Sequence, residues 1–359
     1  MFAKKNLVAA AALLALVGAA QAQSSVKLYG YVEAAVGSFK AVGDQSAVTK
    51  VQSGDMMTSF IGFSGVEDLG GGLKAEFALE SFLGVDNGAN VPNQANKFWG
   101  RASWVALGGG FGRVVLGQYD APLFVAGLSY NPFGSSMTYS PTMRHFYDLG
   151  STSGSVTTNL SKTDTGSINS VTYETPNLGG LTATLQYAAK ESAPNSDSNF
   201  FALGVAYNAG PLSLMGTYTS GGKSTESVNG GSAAYPETFK AANLNASYDF
   251  GVLKAFGQYT RFMYDSNSLQ TVGTLTGIEK ANVWQLGVSV PVTASGSVLA
   301  SYGAAKYKAV ADDATSKIFS LGYDHALSKR TSAYAALSTE KVTENKGGRA
   351  IAVGVKHTF

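Results

Sequence analysis

The sequence contains no cysteine. No disulfide can staple it, and no thiolate metal centre or cysteine nucleophile can be built from it. Charge is scarce: 14 % of residues are Asp, Glu, Lys or Arg, where a soluble chain carries about a quarter. Histidine occurs only at His145, His325 and His357, too scattered to suggest a ligand set, so neither a metal nor another cofactor is expected. After residue 22 no segment reaches the ~20 apolar residues of a membrane helix. No long stretch repeats its apolar residues at helical spacing either. The 26 basic and 24 acidic residues form no basic stripe, which argues against a nucleic-acid partner.

Glycine and aromatics are abundant instead: 43 Gly, 18 Tyr and 19 Phe. Mean hydropathy is only +0.03, so low charge does not reflect long greasy runs. The one such run opens the chain. "MFAKKNLVAAAALLALVGAAQA" has Lys4 and Lys5, an apolar stretch from Leu7 to Ala20, and the small-residue site Ala20-Gln21-Ala22. That pattern is a secretory leader over residues 1–22, too short and too cleanly terminated for a membrane anchor. Its removal takes away two lysines and no acid, leaving a chain of zero formal charge that starts near Gln23. An exported chain without disulfides needs another source of stability, and a closed hydrogen-bonded sheet supplies one.

The rest alternates with a period of two. "VKLYGYVEAAVG" sets Val26, Leu28, Val32, Ala34 and Val36 against Lys27, Tyr29, Tyr31 and Glu33. "LKAEFALESF" sets Leu73, Ala75, Phe77 and Leu79 against Lys74, Glu76 and Glu80. "LTATLQYAAK" does the same. Short connections at 66–72, 107–112, 175–180, 208–211, 249–251 and 291–296 alternate with longer polar ones at 84–97, 191–198, 221–238 and 265–279, and one, about 119–165, is much longer. Short turns on one side and long loops on the other describe an up-and-down meander of ~16 strands, the pattern of a transmembrane barrel. A soluble sandwich also alternates, but this many strands would divide into domains, and no linker or composition shift appears. The chain ends "AIAVGVKHTF", alternating up to Phe359. Ends usually fray; a last strand in register to its final residue is expected to close the barrel against the first, because an open edge in lipid leaves unpaired backbone groups.

The segments "SSVKLYGYVEAAVG", "GFSGVEDLGGGLKAEFALE", "GRASWVALGGGFGRVVLGQYDAPL", "NSVTYETPNLGGL" and "VKHTF", in this order, resemble the general porins of the β-proteobacterial outer membrane. The resemblance spans all of residues 23–359. It implies an all-β, 16-stranded antiparallel transmembrane barrel that passes ions and small hydrophilic solutes passively. It also implies a homotrimer seated among outer-membrane lipid and lipopolysaccharide. The third extracellular loop, about 119–165, would fold inward as the constriction, and its apolar "PLFVAGLSYNPFG" fits a loop packed on a wall. The closing aromatic, Phe359, resembles the signal read by the outer-membrane assembly machinery. The likeness is incomplete at the basic wall positions. Phe60 and Ser64 stand where the family motif carries basic residues, Gln118 stands in the third such place, and the arginine expected near Gly166 is missing, while Arg101 matches.

Candidate pore-lining residues follow from inward parity and from the loop: Lys27, Glu33, Lys74, Glu76, Glu80 and Arg101 from strands, and Asp120, Arg144, His145 and Asp148 from the loop. Arg101 and Glu76 are favoured, because they lie near the turns flanking the strand that leads into the loop. Each charge could instead be a solvated wall residue or a loop anchor. The expected selectivity is weak, near neutral or slightly cationic. Two other classes remain open. Tyr29, Tyr31, Phe60 and Phe82 could form a stacking track in a channel specific for sugars or aromatic acids. An outer-membrane hydrolase would need Ser and His in hydrogen-bonding reach, and none of the histidines lies in a nucleophile motif. No catalytic residue is therefore assigned.

Overall fold

A computed structural model describes residues 25–89, 97–147, 160, 165–189, 199–221, 238–264, 271–272, 275–276, 278–309 and 312–359. The expected leader, Asp148, and all or part of the four long polar connections lie outside the described residues.

The strands are β1 (Ser25–Lys40), β2 (Val48–Gln52), β3 (Phe60–Gly70), β4 (Leu73–Phe82), β5 (Ala102–Gly109), β6 (Gly112–Asp120), β7 (Gly166–Glu174), β8 (Leu181–Ala188), β9 (Phe200–Ala209) and β10 (Leu212–Gly221). They continue with β11 (Phe239–Asp249), β12 (Lys254–Tyr264), a separate two-stranded hairpin of β13 (Thr271–Val272) and β14 (Leu275–Thr276), β15 (Ile278–Pro291), β16 (Gly296–Ala309), β17 (Ala314–Ala326), β18 (Thr331–Val342) and β19 (Gly348–Thr358). Around the barrel every neighbour is antiparallel, and β19 returns to pair β1 from Tyr31↔Thr358 to Lys40↔Arg349. Both β2 and β3 pair with β1, on different halves of it. They share one place, so the closed barrel has sixteen strands, as the alternation and resemblance implied.

The split of that second strand was not legible in the sequence. Residues 53–59 leave the sheet between its two pieces, and Asp55, Met56 and Ser59 become buried. Elsewhere the period-two reading holds. Val36, Val105, Leu244, Leu286, Ile351, Val353 and Val355 are each at least half exposed on the outer face. Their neighbours Ala35, Ala106, Asn243, Gln285 and Ala352 are buried. The turn between β3 and β4 needs its glycines: Gly70, Gly71 and Gly72 have φ of 81°, 61° and 82°, a region costly for any residue with a Cβ.

The long connection is not structureless. After β6 it forms α1 (Pro122–Ser129) and α2 (Pro141–Tyr147). Each begins with proline, whose missing N–H is unneeded in a first turn. At this length neither helix would persist alone; each is held by the wall it lies on. Leu123, Phe124, Met143 and Phe146 pack with Phe262, Ala241 and Ala305 of the inner face. Two glycines permit this approach. A Cβ on Gly287 would come 2.6 Å from Pro132, and one on Gly303 would come 2.7 Å from Pro141. His325 lies near the end of β17, opposite Ala333.

Candidate functional site: the lumen and its inward loop

The loop divides the inner wall into a covered and an uncovered half. The covered half, β8 to β18, carries mostly small and neutral polar side chains. Gln258 donates to the carbonyl of Gly127 (3.1 Å), Gln285 accepts from the Thr142 N–H (2.8 Å), and Tyr264 donates to the carbonyl of Leu160 (2.6 Å). Amide and hydroxyl groups suit this role because they satisfy loop backbone groups without burying charge.

Charged side chains hold the loop at two further places. On α2, Arg144 donates to Glu340 of β18 at 2.5 Å, and Ser316 of β17 donates to the other oxygen of Glu340 at 2.9 Å. Ser316 also lies 3.1 Å from His145 Nε2. His145 is fully buried, and burial, with Arg144 beside it, pushes its imidazole down to about 3. The loop tip is held at the split strand. Ser136 donates to the carbonyl of Asp55 (2.5 Å), and Thr138 to the Asp55 carboxylate (3.1 Å). Burial pushes the Asp55 carboxyl up to about 6.

The uncovered wall, β1 and β3 to β7, holds two ionic clusters. At one level Arg101, just before β5, pairs with Glu80 of β4, which also accepts from Tyr29 of β1. The Arg101 guanidinium lies 3.9 Å from the centre of the Phe60 ring. Phe60 therefore carries a cation borrowed from β5 at a place where the family motif has its own basic residue. Nearer the short turns, Arg113 of β6 binds Glu76 of β4 (2.6 Å) and Glu174 of β7 (2.9 Å). It also donates to Tyr119 and stacks on Trp104, 4.6 Å from that ring's centre. Tyr119 keeps the parity of Arg113 along β6 and so reaches this cluster, while the register shift opposite it is a β-bulge whose extra residue lies on β7, where Asn169 has a φ of 52°. Gln118 donates to the carbonyl of Gly100, next to Arg101.

The residues singled out from the sequence thus fall in different settings. Arg101 and Glu80 meet each other, whereas Arg101 and Glu76 lie in separate clusters. Lys27 and Lys74 are exposed near the short-turn end of the wall. Asp120 ends β6 directly before α1. Glu33 shares the inward parity but is 1 % exposed. It accepts from the backbone of Met56 (3.1 Å) and Met57 (3.2 Å) and from the Tyr334 hydroxyl, so it fixes the split strand rather than meeting water. Arg144 anchors the loop. Tyr29 and Phe60, set edge-to-face at 6.0 Å, are occupied by Glu80 and Arg101, so no open stacking track forms there. Sequence reasoning missed Arg113, Glu174, Asp55 and Glu340. Arg113 could have been found, since Arg113, Val115 and Gly117 share one parity in "GRVVLGQ". Asp55 could not, because no period marks a strand that breaks.

A family profile described as Gram-negative porin matches residues 9–346. The chain is 34 % identical to outer membrane porin protein 32 of Delftia acidovorans, over 99 % of this chain and 94 % of that one. It is 29 % identical to major outer membrane protein P.IB of Neisseria meningitidis serogroup B, over 99 % and 100 %. Among solved structures it is similar to an anion-selective porin from Comamonas acidovorans, with a TM-score of 0.73 at 30 % identity, covering 94 % of this chain and all of that one. The likeness to Salmonella typhi OmpF, TM-score 0.68 at 15 % identity over 93 % and 97 %, concerns the fold alone.

Proposed function

Given a chain that belongs to the Gram-negative porin family, we propose that its pore is a weakly selective, general one, narrowed by the 119–165 loop. The protein is an outer-membrane β-barrel whose water-filled channel passes ions and small hydrophilic solutes by passive diffusion. The finer reading rests on one observation: the arginines of the uncovered wall and of the inward loop are each matched by carboxylates. Arg101 faces Glu80, Arg113 faces Glu76 and Glu174, and Arg144 faces Glu340. A matched pair leaves a local dipole but little net potential at a distance. Without an unmatched basic wall, the eyelet has no strong reason to prefer anions, although a relative is named anion-selective. Opposed pairs still impose a transverse field that orders water and sorts dipolar solutes.

The remaining roles follow the same reading. The barrel acts as a homotrimer, in keeping with the trimer form of the similarly folded OmpT of Vibrio cholerae, and its apolar band meets outer-membrane lipid and lipopolysaccharide. Residues 1–22 serve as the export leader. Phe359 is the signal that the assembly machinery reads. The reversal potential in a salt gradient across a planar bilayer tests the selectivity reading. A value near zero or slightly cationic is expected, and strong anion selectivity at low salt would overturn it.

A further inference from the structure

Cations at the short-turn end of the barrel are not matched as the eyelet arginines are. The turn between β17 and β18 carries Lys329 and Arg330, both exposed and neither in an ion pair among the described residues. Its backbone is fixed. Leu327 donates to the carbonyl of Thr331 (2.8 Å), Ser328 Oγ accepts from Arg330 (3.2 Å) and Thr331 (3.1 Å), and Thr358 donates to the carbonyl of Arg330 (2.9 Å).

Both side chains border a chamber of about 610 Å³ beneath the tip of the inward loop, within the ~300–1,000 Å³ span of small-molecule sites. Met57, Pro132 and Phe133 bound it on the loop side, and Ser297 and Ser332 contribute hydroxyls from the wall. Lys356 also lines it but is taken up by Asp324, its ion-pair partner. Lys329 and Arg330 therefore leave the chamber with two unmatched positive charges, hydroxyl donors on one side and an apolar surface on another. That combination suits a small anion with a hydrocarbon body. An arginine fork takes a carboxylate through two parallel hydrogen bonds, lysine adds a point charge, and the apolar side covers the carbon chain.

We propose that this chamber is a low-affinity residence site for small organic carboxylates, held by Lys329 and Arg330 on the short-turn side of the constriction. The site rests on the channel reading above. It lies in a wet vestibule, where a Debye length of ~8 Å at physiological ionic strength confines its field, so it concentrates anions locally without giving the eyelet a strong preference. Long dwell is excluded by the same screening, as suits a diffusion channel.

Succinate is added to one side of a bilayer holding channels inserted in one orientation, and the ion current is recorded. Succinate on the short-turn side at millimolar concentration should interrupt the current, less so at higher salt, and glucose at the same concentration should not. The exposed double variant Lys329→Gln/Arg330→Gln should weaken the interruption at least tenfold with unit conductance preserved, and Lys329→Arg/Arg330→Lys should retain it. Unchanged succinate block in the double-Gln variant, equal block by glucose, or normal conductance steps with no succinate block would overturn the site alone. Absence of conductance steps in the wild-type protein would overturn the channel reading and the site with it.

Discussion

Phe359 and Gly30 exchange two backbone hydrogen bonds, each 3.2 Å long, so the last residue is paired to the first strand. The Phe359 ring lies over Gly30, where a Cβ would meet it at 2.5 Å and the carbonyl of Phe60 at 2.6 Å. The seam between β1 and β19 is thus closed to its final residue, and the closing position admits only glycine opposite the aromatic. Deleting Phe359 removes one bridge from a seam of many, so the folded barrel should survive once made. The amount assembled in the outer membrane should fall, while assembled channels keep their unit conductance. Unchanged outer-membrane levels would rule out the assembly role of Phe359.

The paired arginines predict the direction of selectivity changes. Arg113→Ala leaves Glu76 and Glu174 unmatched, and Arg101→Ala does the same to Glu80. One uncompensated charge ~8 Å from a passing ion is worth about 0.5 kcal/mol in bulk water. Each variant should therefore raise the cation-to-anion permeability ratio by a factor of about two or more, read as a shift in reversal potential at low salt. Arg113→Ala should give the larger shift, since it frees two carboxylates.

The two anchors of the inward loop respond to acid with opposite signs. His145 sits at about 3 against an ordinary 6.5, so it supports the seated α2 above pH 6.5 and that support is lost as pH falls toward 3. Asp55 sits at about 6 against an ordinary 3.8. It favours the seated tip at low pH, and the contribution is lost as pH rises from 3.8 through 6. Acidification should loosen α2 before the tip. Current noise that rises below pH 5, and is suppressed in His145→Gln but not in Asp55→Asn, would bear this out; noise independent of His145 would contradict it.

The close approach of the loop predicts a packing effect. Gly287→Val places methyl groups where Pro132 lies. Overpacking of this kind costs typically ~1–3 kcal/mol, borne by the loop because the wall is fixed by its ladders. Altered unit conductance with an intact barrel is the expected result.

Lipid exposure is testable on β11. Leu244 is 69 % exposed at the middle of its strand. Leu244→Arg should destabilise the barrel in liposomes by roughly 2–4 kcal/mol, the cost of arginine at a bilayer midplane, whereas Asn243→Arg points inward and should alter conductance instead.

The alternation of apolar and polar residues fixed which side of each strand meets lipid, and the spacing of turns fixed the number of strands. Both are local properties: a period of two and the conformational demands of glycine-rich turns are written in neighbouring residues. The closing role of "AIAVGVKHTF" was legible for the same reason. The charge pairings were not. Glu76 finds Arg113 and Arg101 finds Glu80 across strand registers, and register depends on turn geometry, which no period reveals. Glu33 shares the parity of Tyr29 and Tyr31, yet it is buried because β2 and β3 part beside it and residues 53–59 turn inward. The loop's apolar face was visible in "PLFVAGLSYNPFG", but which wall it covers was decided by where small residues such as Gly287 and Gly303 leave room. Sequence set the parity of each side chain; only the closed barrel, by bringing distant strands into contact, decided what each one meets.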